Sequence, residues 1–337
     1  MKALRLHAAH TLRLHEEPIP EPQAGEVLLR VTAVGICGSD IHWYEEGGIG
    51  DARLSHPLVL GHEFAAEIAE GPLRGTRVAV DPAISCGQCE WCQQGHPNLC
   101  PHTRFSGHGS QDGALREYMP WRTENLHAVP DTIDDISAAM LEPLGVAIHS
   151  VDLAHLRPGA HVGVIGCGPI GLLTLQVARL AGAVRLFATD CLPHRLEAAH
   201  ALCAAEVHQA DLEHREEARA ILAATKGRGL DVVFECAGDQ RAVDTAFDVV
   251  RIGGIVILCG VPSDDRTAFV ASLARRKGLT IKLVRRMKHT YPRAIEMVSR
   301  RFVNVSDLVT HRFPLCEAER AFAVAQHREG IKAVVIP

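Results

Sequence analysis

The chain has 337 residues and a mass of 36.5 kDa, and its 40 acidic and 35 basic residues leave a formal charge of −5. At roughly 100 to 200 residues per domain, this length and a hydrophobic content of 47% predict two domains with sizeable cores. The acidic balance argues against a dedicated nucleic-acid-binding protein, including a zinc-ribbon module, and against attraction to anionic membranes.

The N-terminal residues 1–7 lack the apolar core of a signal peptide. The longest apolar runs, residues 162–165 and 255–258, are far shorter than the roughly 18 residues of a membrane-spanning helix. We therefore expect a cytoplasmic protein with reduced cysteines. Eleven cysteines in such a protein direct attention to metal and catalytic roles.

The first part of the chain is rich in short β-type runs separated by proline and glycine. These runs cover residues 4–6, 12–14, 27–34 and 77–80. They predict a mainly β domain. Within it, residues 86–100 read as an irregular, cysteine-rich loop.

From residue 136 the pattern changes to helices alternating with short apolar strands. Residues 136–153 read mostly as helix, and six strands are predicted at residues 161–165, 184–189, 207–209, 232–235, 255–259 and 280–284. This alternation predicts an α/β fold with a doubly wound parallel sheet. The tail, with helices at 292–300 and 315–326 and strands at 309–313 and 332–336, is too short for a third domain. We expect one domain at 146–286 and another formed by 1–145 together with 287–337.

A glycine-rich loop follows the first strand of the predicted parallel sheet. Its residues are Gly166, Cys167, Gly168, Pro169, Ile170 and Gly171. In this strand–loop–helix setting, G-x-G-x-x-G predicts a dinucleotide pyrophosphate at a helix N-terminus, the hallmark of a Rossmann domain. Asp190, nineteen residues beyond Gly171, can accept hydrogen bonds from a ribose and would repel a 2′-phosphate, which favours NAD over NADP.

Other residues of this domain are also assigned to cofactor binding. Arg195 can stack on adenine or, alternatively, pair with a phosphate. The loops after the fourth and fifth predicted strands contribute Cys236, Gly260 and Val261.

Four cysteines, Cys86, Cys89, Cys92 and Cys100, lie within fifteen residues. Four thiolates at this spacing predict a closed, structural zinc site without a position for water or substrate. An iron–sulfur cluster is the alternative, because Cys100 precedes a proline as in ferredoxins, although the last spacing there is shorter. Six further cysteines lie mainly near the predicted strands, where burial as small apolar residues is the default expectation.

A second group combines a thiol, an imidazole and carboxylates. Cys37 is followed twenty-five residues later by His62 and Glu63, and Glu142 stands near the domain boundary. One thiolate, one imidazole and one carboxylate suit a catalytic zinc with an open position.

Taken together, these motifs resemble the zinc-dependent medium-chain alcohol dehydrogenase family, and within it the sorbitol, xylitol and idonate dehydrogenase branch. The resemblance covers essentially the whole chain and rests on residues 35–40, 57–63, the four-cysteine lobe, 142–144, the glycine loop and 308–315. It implies a GroES-like catalytic domain beside the Rossmann domain and two zinc ions per chain. The family also commonly forms dimers or tetramers through the last sheet strand, here about residues 280–284.

The resemblance further assigns roles to individual residues. It implies a catalytic zinc held by Cys37, His62 and either Glu63 or Glu142, with Ser39, His42 and Glu142 as candidates for a proton relay. It implies substrate contacts from Trp43, Tyr118 and Arg286, where Trp43 and Met287 replace tyrosines that are usual in this branch.

The function expected from this reading is oxidation of a secondary alcohol of a polyol or sugar derivative to a ketone, with hydride transfer to NAD+. Threonine or butanediol dehydrogenase activity and a non-enzymatic, NAD-binding regulator are the alternatives. The expected partners are a small-molecule substrate and other copies of the chain.

Overall fold

The computed structural model describes residues 1–203, 205–211 and 213–337. Its strands are β1 (Lys2–Ala8), β2 (Thr11–Glu16), β3 (Glu26–Gly35), β4 (Gly48–Ile49), β5 (Ala52–Arg53), β6 (Leu58–Val59), β7 (Glu63–Ile68), β8 (Arg77–Val80), β9 (Ala83–Ile84), β10 (Arg104–Phe105), β11 (Tyr118–Arg122), β12 (Leu126–Ala128), β13 (His161–Ile165), β14 (Arg185–Asp190), β15 (Glu206–Gln209), β16 (Leu230–Glu235), β17 (Val250–Leu258), β18 (Thr280–Leu283), β19 (Val309–Pro314) and β20 (Lys332–Ile336). Its α-helices are α1 (Gly38–Glu46), α2 (Glu90–Gln93), α3 (Asp135–Ala139), α4 (Leu141–Ala154), α5 (Pro169–Leu180), α6 (Pro193–Cys203), α7 (Glu216–Ala224), α8 (Gln240–Val249), α9 (Ala271–Lys277), α10 (Tyr291–Ser299) and α11 (Ala318–Gln326).

The chain divides into two compact units. One unit comprises Met1–Pro143 and Tyr291–Pro337, and the other comprises Leu144–Thr290. The predicted boundaries, after residues 145 and 286, differ from these limits by two and four residues.

The first unit is built mainly from β-strands. Its main sheet has the order β12-β8-β7-β3-β20-β19, with β11 also paired to β3, and β1, β2 and β6 form a smaller sheet. Because β20 pairs antiparallel with β3, the last strand of the chain lies beside residues 34 and 35. Phe64 and Trp121 are almost fully buried in the core of this unit.

The second unit contains a parallel sheet in the order β15-β14-β13-β16-β17-β18. Numbered along the chain, this order is 3-2-1-4-5-6, which defines the Rossmann arrangement. The predicted α/β class, with its doubly wound parallel sheet and a mainly β GroES-like domain, is confirmed. The carboxyl ends of the strands form one edge, at which ligands of this fold bind.

The predicted helix at 136–153 is two helices in the structure. Helix α3 ends at Ala139, and α4 begins again at Leu141. The prediction that this segment is mostly helical holds, and the interruption occurs because Pro143 lacks an N–H group and would clash with the carbonyl of residue 139 inside a continuous helix. The restart places Pro143 and Glu142 in the first turn of α4, where a proline is tolerated.

Among the residues described, no helix combines the length and the hydropathy that crossing a membrane requires.

Candidate active site

Cys37 begins the first helix of the chain. It is the N-cap of α1, where Asp40 Oδ2 accepts a hydrogen bond of 2.9 Å from the Cys37 backbone N–H in a capping-box arrangement. The positive end of a helix dipole stabilises a thiolate at this position. The short segment from Gly35 to Asp40 therefore places the Cys37 side chain at the N-terminus of α1.

His62 lies in the turn between β6 and β7. Gly61 adopts φ +95°, and a Cβ there would lie 2.8 Å from Val34 Cγ1, so this turn requires glycine. His62 Nδ1 lies 3.5 Å from Asp40 Oδ1, and His62 Nε2 lies 3.5 Å from Ser39 Oγ. A carboxylate at Nδ1 orients the ring and leaves Nε2 as the metal-facing nitrogen.

The electrostatic field around His62 favours a cation. Burial alone would lower the pKa of His62, but the Asp40 carboxylate and Cys37 outweigh burial and raise this pKa well above its usual value. Burial likewise opposes ionisation of Asp40, yet His62 and two backbone N–H groups keep the pKa of Asp40 below its usual value. The same negative potential that stabilises a protonated imidazole would stabilise a bound metal cation.

Glu63 is the first residue of β7 and forms a buried ion pair. Its Oε2 contacts the ammonium group of Lys332, which also donates a hydrogen bond of 3.0 Å to the Ile36 carbonyl. Lys332 is only 4% exposed, and Glu63 is 1% exposed. Burial opposes the charge on Lys332, but Glu63 outweighs it and raises the pKa of Lys332. Lys332 is therefore held in its charged form.

The structure brings Cys37, His62 and Glu63 together. One donor atom from each lies within 4.8 Å of the others. Among the described residues, the donor group consists of Cys37, His62 and Glu63 and does not include Glu142. The charges of His62 and Glu63 nevertheless affect the pKa of Glu142. Burial raises the pKa of Glu142 to about 8, so this carboxyl group carries a proton at neutral pH.

The four-cysteine lobe also brings its donors together. All four sulfur atoms lie within 4.8 Å of one another, and the Cys89–Cys92 and Cys86–Cys100 Sγ pairs are 3.5 Å apart. A tetrahedral ion with Zn–S bonds of about 2.3 Å separates its sulfur ligands by about 3.8 Å. These separations fit one ion, whereas an iron–sulfur cluster places several atoms between its thiolates.

Backbone N–H groups stabilise negative charge on these sulfurs. The N–H of Cys86 donates to Cys100 Sγ at 3.4 Å, and the N–H of Cys89 donates to Cys86 Sγ at 3.4 Å. Burial opposes ionisation of Cys100, but hydrogen bonds from the backbone of Cys86 and His102 lower its pKa to about 6. At least one thiol of the lobe is therefore prepared for metal binding.

The glycine loop lies at the carboxyl edge of the parallel sheet. Gly166 has φ +96°, and a Cβ there would lie 2.8 Å from the Ala237 nitrogen. The helix that follows, α5, begins with Gly168 as its N-cap and Pro169 in its first turn. This geometry is suited to a pyrophosphate that would lie close to the backbone at the positive end of a helix.

Asp190 ends β14 and supports this loop. One of its carboxylate oxygens accepts the Cys167 N–H at 2.7 Å, and the other accepts the Leu192 N–H at 2.9 Å. Each oxygen keeps a lone pair for another donor. The Arg195 guanidinium would lie 3.6 Å from a Cβ at Gly168, beside the same loop. Cys236 follows β16 directly, and Gly260 and Val261 lie just beyond β17.

The remaining predicted residues occupy varied positions. His42 Nδ1 is 3.1 Å from Glu46 Oε1 on the surface of α1. Trp43 is only 1% exposed, and its indole N–H donates to His108 Nδ1 at 3.3 Å. Tyr118 is half-buried on β11, and Arg286 lies after β18 with φ +54°. The roles predicted for these four side chains stay predictions.

Two residues that contact the donor group were not singled out from the sequence. Asp40 was part of the motif around Cys37, and its signal was its position as the third residue of α1, where carboxylates cap a helix. Lys332 opens an otherwise apolar strand, and a lysine at a buried position implies a carboxylate partner. That partner is Glu63, 269 positions earlier in the chain.

Comparisons with known proteins define the class to which the chain belongs. Residues 23–131 match the model of the alcohol dehydrogenase GroES-like domain, and residues 169–300 match that of the zinc-binding dehydrogenase. Sorbitol dehydrogenase of Bacillus subtilis is 35% identical over 345 residues, covering 100% of this chain and 97% of the relative. The chain therefore belongs to the zinc-dependent medium-chain alcohol dehydrogenase family.

Solved structures of other dehydrogenases resemble this chain over its whole length. A putative zinc-binding dehydrogenase from Sinorhizobium meliloti bound to NADP has a TM-score of 0.90 and 30% identity, with 100% of this chain and 99% of that chain covered. L-idonate 5-dehydrogenase from Escherichia coli has a TM-score of 0.89 and 25% identity, with 100% and 98% covered. Within the family, the chain falls in the polyol dehydrogenase branch.

Proposed function

We propose that this protein oxidises a secondary alcohol of a polyol or sugar derivative to a ketone and transfers the hydride to NAD+. The observation that carries this proposal is the mixed donor group of Cys37, His62 and Glu63 in a chain of the polyol branch. Three different donors leave a coordination position for a substrate, in contrast to the closed lobe of four thiols. Relatives that act on sorbitol or L-idonate give the substrate class.

The donor chemistry suits zinc at both groups, and we propose one ion at each. When bound, a zinc ion at the open group would supply Lewis acidity toward a substrate hydroxyl. Cys37 and Glu63 would contribute two negative charges, and His62 would contribute a neutral nitrogen. We propose Glu63 as the direct carboxylate ligand because Glu63, and not Glu142, shares the donor group.

Three further side chains are proposed to hydrogen-bond the substrate or to pass on its proton. Ser39 Oγ, 3.5 Å from His62 Nε2, is positioned to hydrogen-bond a hydroxyl that approaches the donor group. Glu142, whose pKa is raised by burial to about 8, is proposed to hydrogen-bond a second hydroxyl of a polyol. His42, which pairs with Glu46, is proposed to pass the proton to solvent.

NAD is the proposed coenzyme because the carboxylate of Asp190 would repel a 2′-phosphate. Arg195 is the feature that could favour NADP instead, and one structural neighbour was solved with NADP. Comparing kcat/KM for the two coenzymes tests this point. A preference for NADP would assign phosphate binding to Arg195.

The decisive experiment combines metal analysis with a substrate panel. Zinc-loaded protein is offered sorbitol, xylitol, galactitol, idonate, threonine and 2,3-butanediol, and formation of reduced nicotinamide is recorded. We expect turnover of at least one polyol or sugar acid and two zinc ions per chain. Turnover of only threonine or butanediol would replace the substrate class, and an inert panel would refute the proposed function.

A further inference from the structure

Two cysteines follow neighbouring strands of the parallel sheet. In the β16–β17 pair, Glu235 lies opposite Leu258, so Cys236 and Cys259 are the next residues on each strand. Neighbouring strands lie about 4.7 to 4.9 Å apart. This spacing falls within the Cα separation of roughly 4.4 to 6.8 Å that a disulfide spans.

Cys236 and Cys259 occupy adjacent positions at the ends of two paired strands. The Cys259 thiol donates a hydrogen bond of 3.5 Å to Ser150 Oγ. The backbone is held in place, because the Cys236 N–H donates to the Ile165 carbonyl and the Cys259 N–H to the Glu235 carbonyl, both at 2.8 Å. Joining the sulfurs therefore requires side-chain rotation and little backbone movement.

Partial burial distinguishes the two residues from two other cysteines of this unit. Cys236 and Cys259 are half-buried, in contrast to Cys167 and Cys203, which are buried. The sequence-based expectation that these cysteines serve as small apolar core residues therefore does not describe this pair. Neither thiol has a role in the proton or metal chemistry proposed above.

The pair also adjoins the glycine loop. Ala237, the residue after Cys236, packs directly against Gly166, where an added Cβ would lie 2.8 Å from the Ala237 nitrogen. A covalent link at Cys236 would therefore act beside the backbone that is proposed to receive the pyrophosphate. A disulfide at Cys236 would therefore restrict dinucleotide binding, and a bound dinucleotide would restrict formation of the disulfide.

We propose that Cys236 and Cys259 are a redox-active dithiol that closes to a disulfide by exchange with a small-molecule disulfide, and that closure and dinucleotide binding oppose each other. The second half of this statement rests on the proposed function.

The exchange is balanced in atoms and electrons. The thiolate of one cysteine attacks a sulfur of the small disulfide and displaces one small thiolate, giving a mixed disulfide. The second cysteine loses its proton and attacks the protein-side sulfur, releasing the other small thiolate. The protein loses two electrons and two protons, and the small disulfide becomes two thiols.

The pKa of Cys236 limits the rate of disulfide exchange. The hydrogen bond to Cys259 and burial raise the pKa of Cys236 well above its usual value, so little thiolate is present at neutral pH. Exchange is therefore slow. The fraction of the pair in the disulfide form reflects the long-term ratio of small-molecule disulfide to thiol and does not respond to short pulses of oxidant. Long incubations in a defined redox buffer are needed to measure it.

The first test measures the link itself. Zinc-loaded full-length protein is equilibrated with mixtures of oxidised and reduced glutathione, alkylated in acid and digested without reduction for mass spectrometry. We expect a peptide pair joined through Cys236 and Cys259 that a reducing agent separates. Cys236→Ser and Cys259→Ser should each abolish the pair, while Cys191→Ser, at an exposed cysteine two strands away, should preserve it.

Two outcomes of this test would overturn the proposal of a redox-active dithiol. If Cys191 carries glutathione in the oxidising mixture while Cys236 and Cys259 are alkylated as free thiols, the pair does not close. Stable glutathione adducts on Cys236 or Cys259 without the joined peptide would overturn it as well.

The second test measures the coupling to nucleotide. NADH affinity is titrated by fluorescence for the reduced and the oxidised protein. We expect the disulfide to weaken NADH binding about tenfold, within the usual range of coupling between sites, and NADH to slow formation of the joined peptide. Cys259→Ser should bind NADH equally under both conditions. Equal affinity of reduced and oxidised wild type would overturn the coupling, whereas absence of NADH binding to the reduced protein would refute the proposed function and leave the peptide result standing.

Discussion

Two groups of metal-binding side chains in the same unit are constructed in different ways. The lobe takes four identical donors from residues 86–100 and stabilises them with backbone N–H groups. The open group takes a sulfur, a nitrogen and an oxygen from two segments and surrounds them with the buried charges of Asp40 and Lys332. The lobe depends on local chain geometry, and the open group depends on tertiary structure.

The difference in charge explains what each group can do. Four thiolates around a divalent ion give a net charge of about −2, which reduces Lewis acidity and suits a structural role. As proposed ligands, Cys37 and Glu63 would together neutralise a divalent ion, and the charges of Asp40 and Lys332 would offset each other. A cation in the open group therefore keeps its ability to polarise a substrate oxygen.

The largest expected effect comes from removing a ligand of the open group. His62→Ala should lower kcat/KM for the best polyol by about a thousandfold or more, because several kcal/mol of charge stabilisation are lost and each 1.36 kcal/mol is tenfold in rate. Metal analysis should show the loss of one ion per chain, and NADH binding should persist. The exposed His56 serves as a control, since His56→Ala should leave both quantities unchanged. Full activity in His62→Ala would mean that the open group is not the active site.

The second effect concerns the buried ion pair. Lys332→Met removes the partner of a buried carboxylate and should lower the free energy of unfolding by about 3 to 5 kcal/mol. Denaturant unfolding of zinc-loaded protein measures this loss, and the exposed Lys2, changed to Met, provides the matched control.

The same variant separates a stability role from metal binding. Since Glu63 would gain freedom to bind the ion, zinc retention against a chelator should not fall in Lys332→Met. A variant that unfolds like wild type but loses zinc would show that Lys332 supports metal binding and not the folded state.

The sequence alone predicts local motifs better than it predicts the buried pair of Lys332 and Glu63. The four-cysteine lobe and the glycine loop were identifiable because all their residues lie within short segments whose spacing alone limits the geometry. Lys332 was predicted to be the first residue of a strand, but the residues next to it in the sequence do not indicate that Glu63 is its partner. That pairing depends on β20 joining β3, a contact that only the folded chain specifies.

The choice between two carboxylates illustrates the same limit. Glu63 and Glu142 both adjoin recognisable motifs, and the sequence left both as candidates. In the structure, Glu63 shares the donor group with Cys37 and His62, whereas burial raises the pKa of Glu142 to about 8, and Glu63 as the direct ligand stays a proposal. The break between α3 and α4 places Glu142 in a first helical turn, a detail that the prediction of a mostly helical segment at 136–153 did not include.

A smaller effect is expected when the orienting carboxylate is neutralised. Asp40→Asn keeps the size of the side chain but loses the charge that holds His62, and zinc affinity of the open group should fall about 10- to 100-fold. Zinc release to a competing chelator should show one weakened ion and one unaffected ion per chain, while Asp51→Asn, at an exposed position, should release both as wild type does. Equal weakening of both ions would contradict the separate electrostatic environments of the two groups.

The smallest effect on turnover is expected in the lobe. Helix α2 buries none of its side chains, so the metal supplies much of the energy that orders this segment. Cys92→Ser should remove one ion, lower the thermal midpoint and expose residues 86–100 to limited proteolysis, yet leave kcat within about twofold at moderate temperature, because a closed structural site takes no part in the chemistry. Cys316→Ser, at an exposed cysteine outside the lobe, should change none of these. If Cys92→Ser lost activity as severely as His62→Ala while remaining folded, the lobe would not be the independent structural element that its local construction implies.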